Sequence, residues 1–354
     1  MKIVTFRNDR RPARVGALVE DLVIDLNLAD ARIPADLALL IDAGQPGLEL
    51  VRGVVNDVGA LRDDAVHQVT AVELTAPWPG RRIAMAGGNY AQHVLDAVKT
   101  LAAVVDRDGP DSEEIPDWAA HVASNVPRTL DEATKGIRDS GHWGFWKTLA
   151  WVTDPGGDLP YPRRTRRLDY EGEVAIVFSK PAKDISAADI NEYVWGVTLL
   201  NDWSDRDGFV RPQPLSYNLA KNFDGAATIG PCIVVDELDP QDIDVITRVN
   251  GEERQRYNTS EMVFSFGECA EKLTQDLTLV AGDMLAGGTN AGTAIDIVGL
   301  LSMDDPASDR WFLHPGDVVE VSSPQIGAFS NTVTDPTTAP SSAAPAFQDG
   351  QLLR

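Results

Sequence analysis

From Arg81 to about Val333 the chain is a series of short apolar runs, each cut by glycine or proline, with few stretches long enough for a helix. That punctuation constrains the fold more than any other feature, because a strand needs only about five or six residues and a helix roughly twice as many. It predicts a mixed, mainly β (α+β) protein, a barrel or folded sheet with peripheral helices. Ahead of it, Lys2–Phe6, Ala13–Leu18 and Leu22–Leu26 read as a β-meander, followed by a helical stretch near Ile33–Ala43. The Pro- and Gly-bearing segment Thr75–Gly80 then marks a boundary. We therefore expect a small β-rich N-terminal domain over 1–75, a catalytic unit over 81–335 and a flexible, low-complexity tail over 336–354. Acids and prolines crowd Asp106–Arg138, so about 97–143 is predicted to be an inserted loop or lid. Short helices are expected at Ser186–Val194 and Glu261–Leu273.

The 354 residues carry 31 Lys+Arg and 54 Asp+Glu, giving 31 − 54 = −23. So acidic a chain is a poor match for nucleic acid or an anionic membrane, whose phosphates call for clustered cations. No apolar run approaches the roughly 20 residues of a membrane span. The opening MKIVTFRNDRRPARVG carries charge where a secretory leader would be apolar, and Cys232 and Cys269 read as buried thiols of a reducing compartment. A cytoplasmic location is the expectation.

The sharpest chemical signal is Leu168-Asp-Tyr-Glu171-Gly-Glu173 running into the apolar Val174–Phe178. Side chains alternate along a strand, so Glu171 and Glu173 point the same way, and they repel unless a cation lies between them. A second apolar run, Val194–Leu200, ends in Asn201-Asp202-Trp-Ser-Asp-Arg206 and adds a third carboxylate with a nearby arginine. Three acids without a His/Cys cluster fit a hard divalent cation better than Zn²⁺. Lys221 could offset residual negative charge and polarise a carbonyl. Gly287-Gly288-Thr289 lets backbone N–H groups approach an anion, although a plain hairpin would read the same. His93 and Asp96, three apart, would be neighbours on a helix, the equipment of a general base.

In order along the chain, Gly88-Asn-Tyr90-x-x-His93, Asp169-Tyr-Glu-x-Glu173, Asn201-Asp-Trp-Ser-x-Arg-Asp207, Lys221, Val249-Asn-Gly251, Gly288-Thr289 and Pro315-Gly-Asp317 resemble the fumarylacetoacetate hydrolase superfamily. The resemblance covers roughly 81–335 and implies a β-roll catalytic domain, usually in a homodimer. It also implies Mg²⁺, Mn²⁺ or Ca²⁺ on Glu171, Glu173 and Asp202. Lys221, Thr289, Gly288, Arg206 and Tyr90 would meet a small oxo-acid or diketone substrate, with His93 as base on a lid that orders around it. The implied reaction is hydrolysis of a C–C bond in a 1,3-dicarbonyl or 2,4-dioxo acid through an enolate, as in aromatic-compound breakdown. Isomerase, hydratase or decarboxylase chemistry would use the same enolate, and a non-catalytic oxo-acid binder would keep the metal site without needing the base. The chain departs from the pattern in having Asp96 where glutamate is usual, Asn290 after Thr289, and a longer lid segment. That segment leads into His142-Trp143-Gly-Phe145-Trp146-Lys147, where Trp143 and Trp146 are expected to wall the pocket for a bulkier, less polar substrate.

Overall fold

The structure is a computed structural model that describes residues 1–8, 12–117, 119–210 and 216–336, and the backbone of 347–348 and 351–352. Its centre is the strand Gly172–Phe178, paired antiparallel with Val194–Asp202 on one side and Met284–Ala286 on the other. Val174, Ile176 and Phe178 enter one hydrophobic cluster while Ala175 and Val177 enter another, so both faces of this strand are buried. A strand buried on both sides reads as a continuous apolar run, which is how 174–178 reads in the sequence.

The sheet continues from Val194–Asp202 through Gly225–Val234 to Lys2–Arg7 and the leading strands Arg14–Val19, Leu22–Asp25 and Val66–Gln68. Lys2 faces Val234 and Ile3 faces Ile233, so the N-terminal module extends the catalytic sheet and shares its core. The helices Leu37–Asp42 and Gly44–Asn56 cover that end. In the other direction the sheet passes through Met284–Ala286 and Ile83–Ala86 to Gly144–Lys147. A second sheet, built from 244–258, 318–334 and Asp158–Pro160, closes over the first with Val245, Tyr257, Val321 and Phe329 in the shared cluster. This gives the expected mainly β, folded-sheet architecture. Of the short helices, Phe266–Leu273 forms, whereas Ala187–Glu192 is a 3₁₀ turn capped by Ser186.

One expectation needs correcting. The segment about 97–143 folds into the helices Lys99–Asp108, Ala120–Ala123 and Leu130–Ser140. Val98, Leu101, Val104, Ile115, Ala119, Ala123 and Val126 close a core of their own against Leu300 and Leu301. Acids and prolines occupy the outer faces and the turns and mask the helical period of the inner residues. The tail 336–354 lies outside the described residues apart from Pro336 and the backbone pair Phe347–Gln348 with Gln351–Leu352. No helix among the described residues is long and apolar enough to cross a membrane.

Candidate active site

The strand register assembles the acids. Gly172 faces Asn201, so Glu171 lies opposite Asp202, whose N–H donates to the Glu171 carbonyl at 2.8 Å. Glu173 follows one pleat repeat along the same face. A carboxylate oxygen from each of the three lies within 4.8 Å of the others, and all three residues are buried. Between the glutamates, Gly172 admits no side chain: a Cβ there would lie 2.2 Å from Thr247 Oγ1.

Three cations answer these acids. Lys221, at the end of Ser216–Lys221, places Nζ 2.6 Å from Glu171 and 2.9 Å from Asp202, and also donates to Ser204 Oγ at 2.6 Å. Lys147 is 2.6 Å from the other Asp202 oxygen and donates to the carbonyls of Lys221 and Ala226 at 2.7 Å each. Arg206 bridges Asp169 at 2.8 Å and Glu171 at 2.5 Å. Burial alone would raise the Glu171 carboxyl, but Lys221 and Arg206 outweigh it and hold it well below the ordinary range. Glu173 differs. Burial, and then the charges of Asp202 and Glu171, push it far up, and the N–H of Gly288 at 3.0 Å is its hydrogen-bond donor. Among the described residues Glu173 has no ion-pair partner. A buried, all-oxygen donor set with one uncompensated acid fits a hard divalent cation, with Glu171, Glu173 and Asp202 as its ligands.

His93 lies on the helix Ala91–Ala97, half-buried, and its acid is not the one expected. Nδ1 is 2.9 Å from Asp296 Oδ2, on the helix Ala294–Val298, so Asp296 and not Asp96 orients the ring. A carboxylate only accepts, so the hydrogen sits on Nδ1 and Nε2 keeps its lone pair. Burial would lower the imidazole; the Asp296 charge reverses this and raises it, with Glu171 adding to the same effect. Asp296 is itself set by Thr293, whose N–H donates to it at 3.1 Å.

The remaining expected residues divide. Thr289 Oγ1 accepts from Gln255 at 2.8 Å and donates to the Gly172 carbonyl at 2.9 Å, and Gly288 is engaged with Glu173 as above. Tyr90 is buried edge-on against Tyr257, its ring 5.0 Å away, with a hydroxyl that has no hydrogen-bond partner among the described residues. The two tryptophans have different neighbours. Trp146 is on the opposite face of Gly144–Lys147 from Lys147 and lies under the Arg82 guanidinium at 5.5 Å, whereas half-exposed Trp143 covers Gly87 and Gly88. Alternation along the strand puts Phe145, not Trp146, beside Lys147, and the Phe145 ring lies 5.3 Å from Lys221 Nζ. Sequence reasoning passed over Asp169, Gln255 and Asp296 as site residues. Asp169 stood in the quoted motif, but nothing local marks Asp296 or Gln255.

The chain matches the fumarylacetoacetate (FAA) hydrolase C-terminal model over residues 82–334 and belongs to that family. It is 28% identical to the oxaloacetate tautomerase YisK of Bacillus subtilis, over 90% of this chain and 95% of that protein. Its fold matches fumarylacetoacetate hydrolase from Exiguobacterium antarcticum at 27% identity and TM-score 0.65, covering 95% of this chain and 99% of that one. A maleylpyruvate hydrolase from Sphingobium sp. SYK-6, solved with manganese(II) and pyruvate, shares the fold at TM-score 0.63 and 20% identity, over 95% and 99% of the two chains. Some relatives align over a part only; the match spans 60% of an uncharacterized Staphylococcus saprophyticus protein that is 34% identical over 54% of this chain.

Proposed function

We propose that this protein is a divalent-cation-dependent enzyme that moves a proton at the carbon next to the carbonyl of a 2-oxo or 2,4-dioxo acid. The observation that carries the reading is one site holding three converging carboxylates, one of them without an ion-pair partner among the described residues, and an imidazole whose tautomer is set by Asp296. When bound on Glu171, Glu173 and Asp202, the cation would supply Lewis-acid stabilisation of negative charge on substrate oxygens.

The protein's own groups do the rest. Nε2 of His93 is the base, taking a proton either from substrate carbon or from water. In hydrolysis the resulting hydroxide adds to the distal carbonyl, the C–C bond breaks with its electron pair on the enolate fragment, and His93 returns its proton to that carbon. Lys221 offsets the charge that builds up, Arg206 keeps Glu171 ionised, and Lys147 holds Asp202 in place. Likeness to the Exiguobacterium hydrolase supports C–C cleavage of an acylpyruvate-type acid. A second reading, keto–enol tautomerisation of an oxaloacetate-like acid, is supported by likeness to the Bacillus tautomerase over most of both chains. It needs no water and no C–C cleavage: one proton leaves the enol oxygen and His93 delivers one to the neighbouring carbon, or the reverse. Mg²⁺ or Mn²⁺ as the cation, a homodimer and a cytoplasmic location belong to the same proposal.

The test is metal-stripped and Mg²⁺- or Mn²⁺-restored protein assayed on acylpyruvates and enol-oxaloacetate, followed by loss of enol absorbance and by product mass. Metal-dependent cleavage into two acids establishes the hydrolase. Absorbance loss without a mass change establishes the tautomerase. Absence of both on the whole panel rejects the proposal.

A further inference from the structure

The cation-binding floor and the base come from different parts of the fold, yet one carboxylate touches the supports of both. Asp169 is fully buried. Its Oδ1 accepts from the N–H groups of Tyr170 and Ala294, each at 2.8 Å, and its Oδ2 from Ile295 N–H at 3.2 Å and Arg206 Nε at 2.8 Å. A carboxylate has about four acceptor sites, so all are taken and none is left for a ligand. Asp169 is thereby set apart from Glu171, two residues on.

We propose that Asp169 is a positioning residue that couples the base to the floor, and this rests on the reading of His93 as the base. On one side it fixes Arg206, whose Nη2 holds Glu171 at 2.5 Å. On the other it caps the first turn of Ala294–Val298, a helix of 5 residues that carries Asp296. So short a helix is not stable alone: Ala294, Ile295 and Val298 pack into a buried cluster, and Thr293 and Asp169 hold its first turn. Displacing Asp169 therefore shifts the Glu171 oxygen and the Asp296 oxygen together. Asparagine cannot substitute: in either orientation its NH₂ opposes a helix N–H, and Arg206 loses its second carboxylate and is drawn wholly onto Glu171, in competition with a cation.

Two readouts that require no turnover test this on the full chain: Mn²⁺ affinity by titration of metal-stripped protein, and the His93 tautomer by ¹⁵N NMR. Asp169→Asn is expected to weaken Mn²⁺ binding by about 10-fold or more and to mix the His93 tautomers. Asp296→Asn should disturb only the tautomer, Arg206→Lys only the Mn²⁺ affinity, and Asp96→Asn neither. An Asp169→Asn protein of native circular dichroism that changes one readout or none overturns the proposal. Should that variant fail to fold, Asp169→Glu decides, because it keeps the charge but moves the oxygens: a folded Asp169→Glu protein that changes one readout or none overturns the proposal. An absence of turnover in the unmodified protein would reject the functional reading and leave both readouts measurable.

Discussion

The floor of the site is carried by adjacent strands of one sheet, whereas the base is carried by a helix that rests on other helices. Glu171, Glu173 and Asp202 are placed by backbone hydrogen bonds between Gly172–Phe178 and Val194–Asp202. His93 depends on side-chain contact with Ala294–Val298, and its helix also packs on Leu130–Ser140. A ladder transmits small displacements poorly because every residue is tied to two neighbours. A short helix held by caps moves as a unit when one cap is lost. The floor should thus behave as part of the core, and the base as a separately tunable element.

The largest effect expected is at the floor. Asp202→Ala leaves Lys147 buried without its carboxylate and should cost about 3–5 kcal/mol in denaturant unfolding, along with Mn²⁺ binding. A loss below about 1 kcal/mol would mean that the ion pairs are not integral to the core.

Leu101→Ala, in the core of the helical segment 98–126, should cost about 2–5 kcal/mol locally. Hydrogen exchange is expected to rise over 99–140 while Mn²⁺ affinity stays within about twofold. Faster exchange in Gly172–Phe178 would erase the distinction between the two regions.

On the base side, Asp296→Asn should lower kcat by about 10- to 100-fold, roughly 1.4–2.8 kcal/mol, with Asp96→Asn near unmodified activity. The sign in pH follows from the raised imidazole. Neutral His93 is the active form, so activity in the unmodified protein is gained as pH rises through that raised value. Without Asp296 the imidazole falls, and the acid limb of the kcat profile moves to lower pH. A limb that moves up instead, or moves in Asp96→Asn, assigns the partner wrongly.

The smallest effect has an inverted sign. Glu173→Gln removes a buried acid that burial, Asp202 and Glu171 keep from ionising in its ordinary range, and should stabilise metal-free protein by about 0.5–1 kcal/mol. The same change should abolish the rise in Tm that Mn²⁺ produces. Because the folded Glu173 carboxyl lies far above the unfolded value of 4.5, the unmodified metal-free protein loses this stability as pH rises from there towards the raised value. The glutamine variant should not show that component.

The same division decides what could be read before the structure. Period-two alternation is local, so Glu171 and Glu173 on one face, the buried run that follows them, and Asp202 at the end of the next strand were all legible. The helical segment before Gly144 was partly so: Thr129 with Glu132 three residues on is a helix-start signal, and the Thr129 hydroxyl does accept from the Glu132 N–H at 3.2 Å. Acidic outer faces hid the rest of that pattern. The sequence by itself determined which residues carry charge, which runs become strands and which acids must share a face, because these follow from chain geometry over a few residues. Only the tertiary structure decided that His93 takes Asp296, 203 positions away, over Asp96 one turn along its own helix. It also decided that Lys147 answers Asp202 and that Asp169 joins both halves of the site. Those choices depend on the packing of whole elements against one another, and no spacing along the chain encodes that distance.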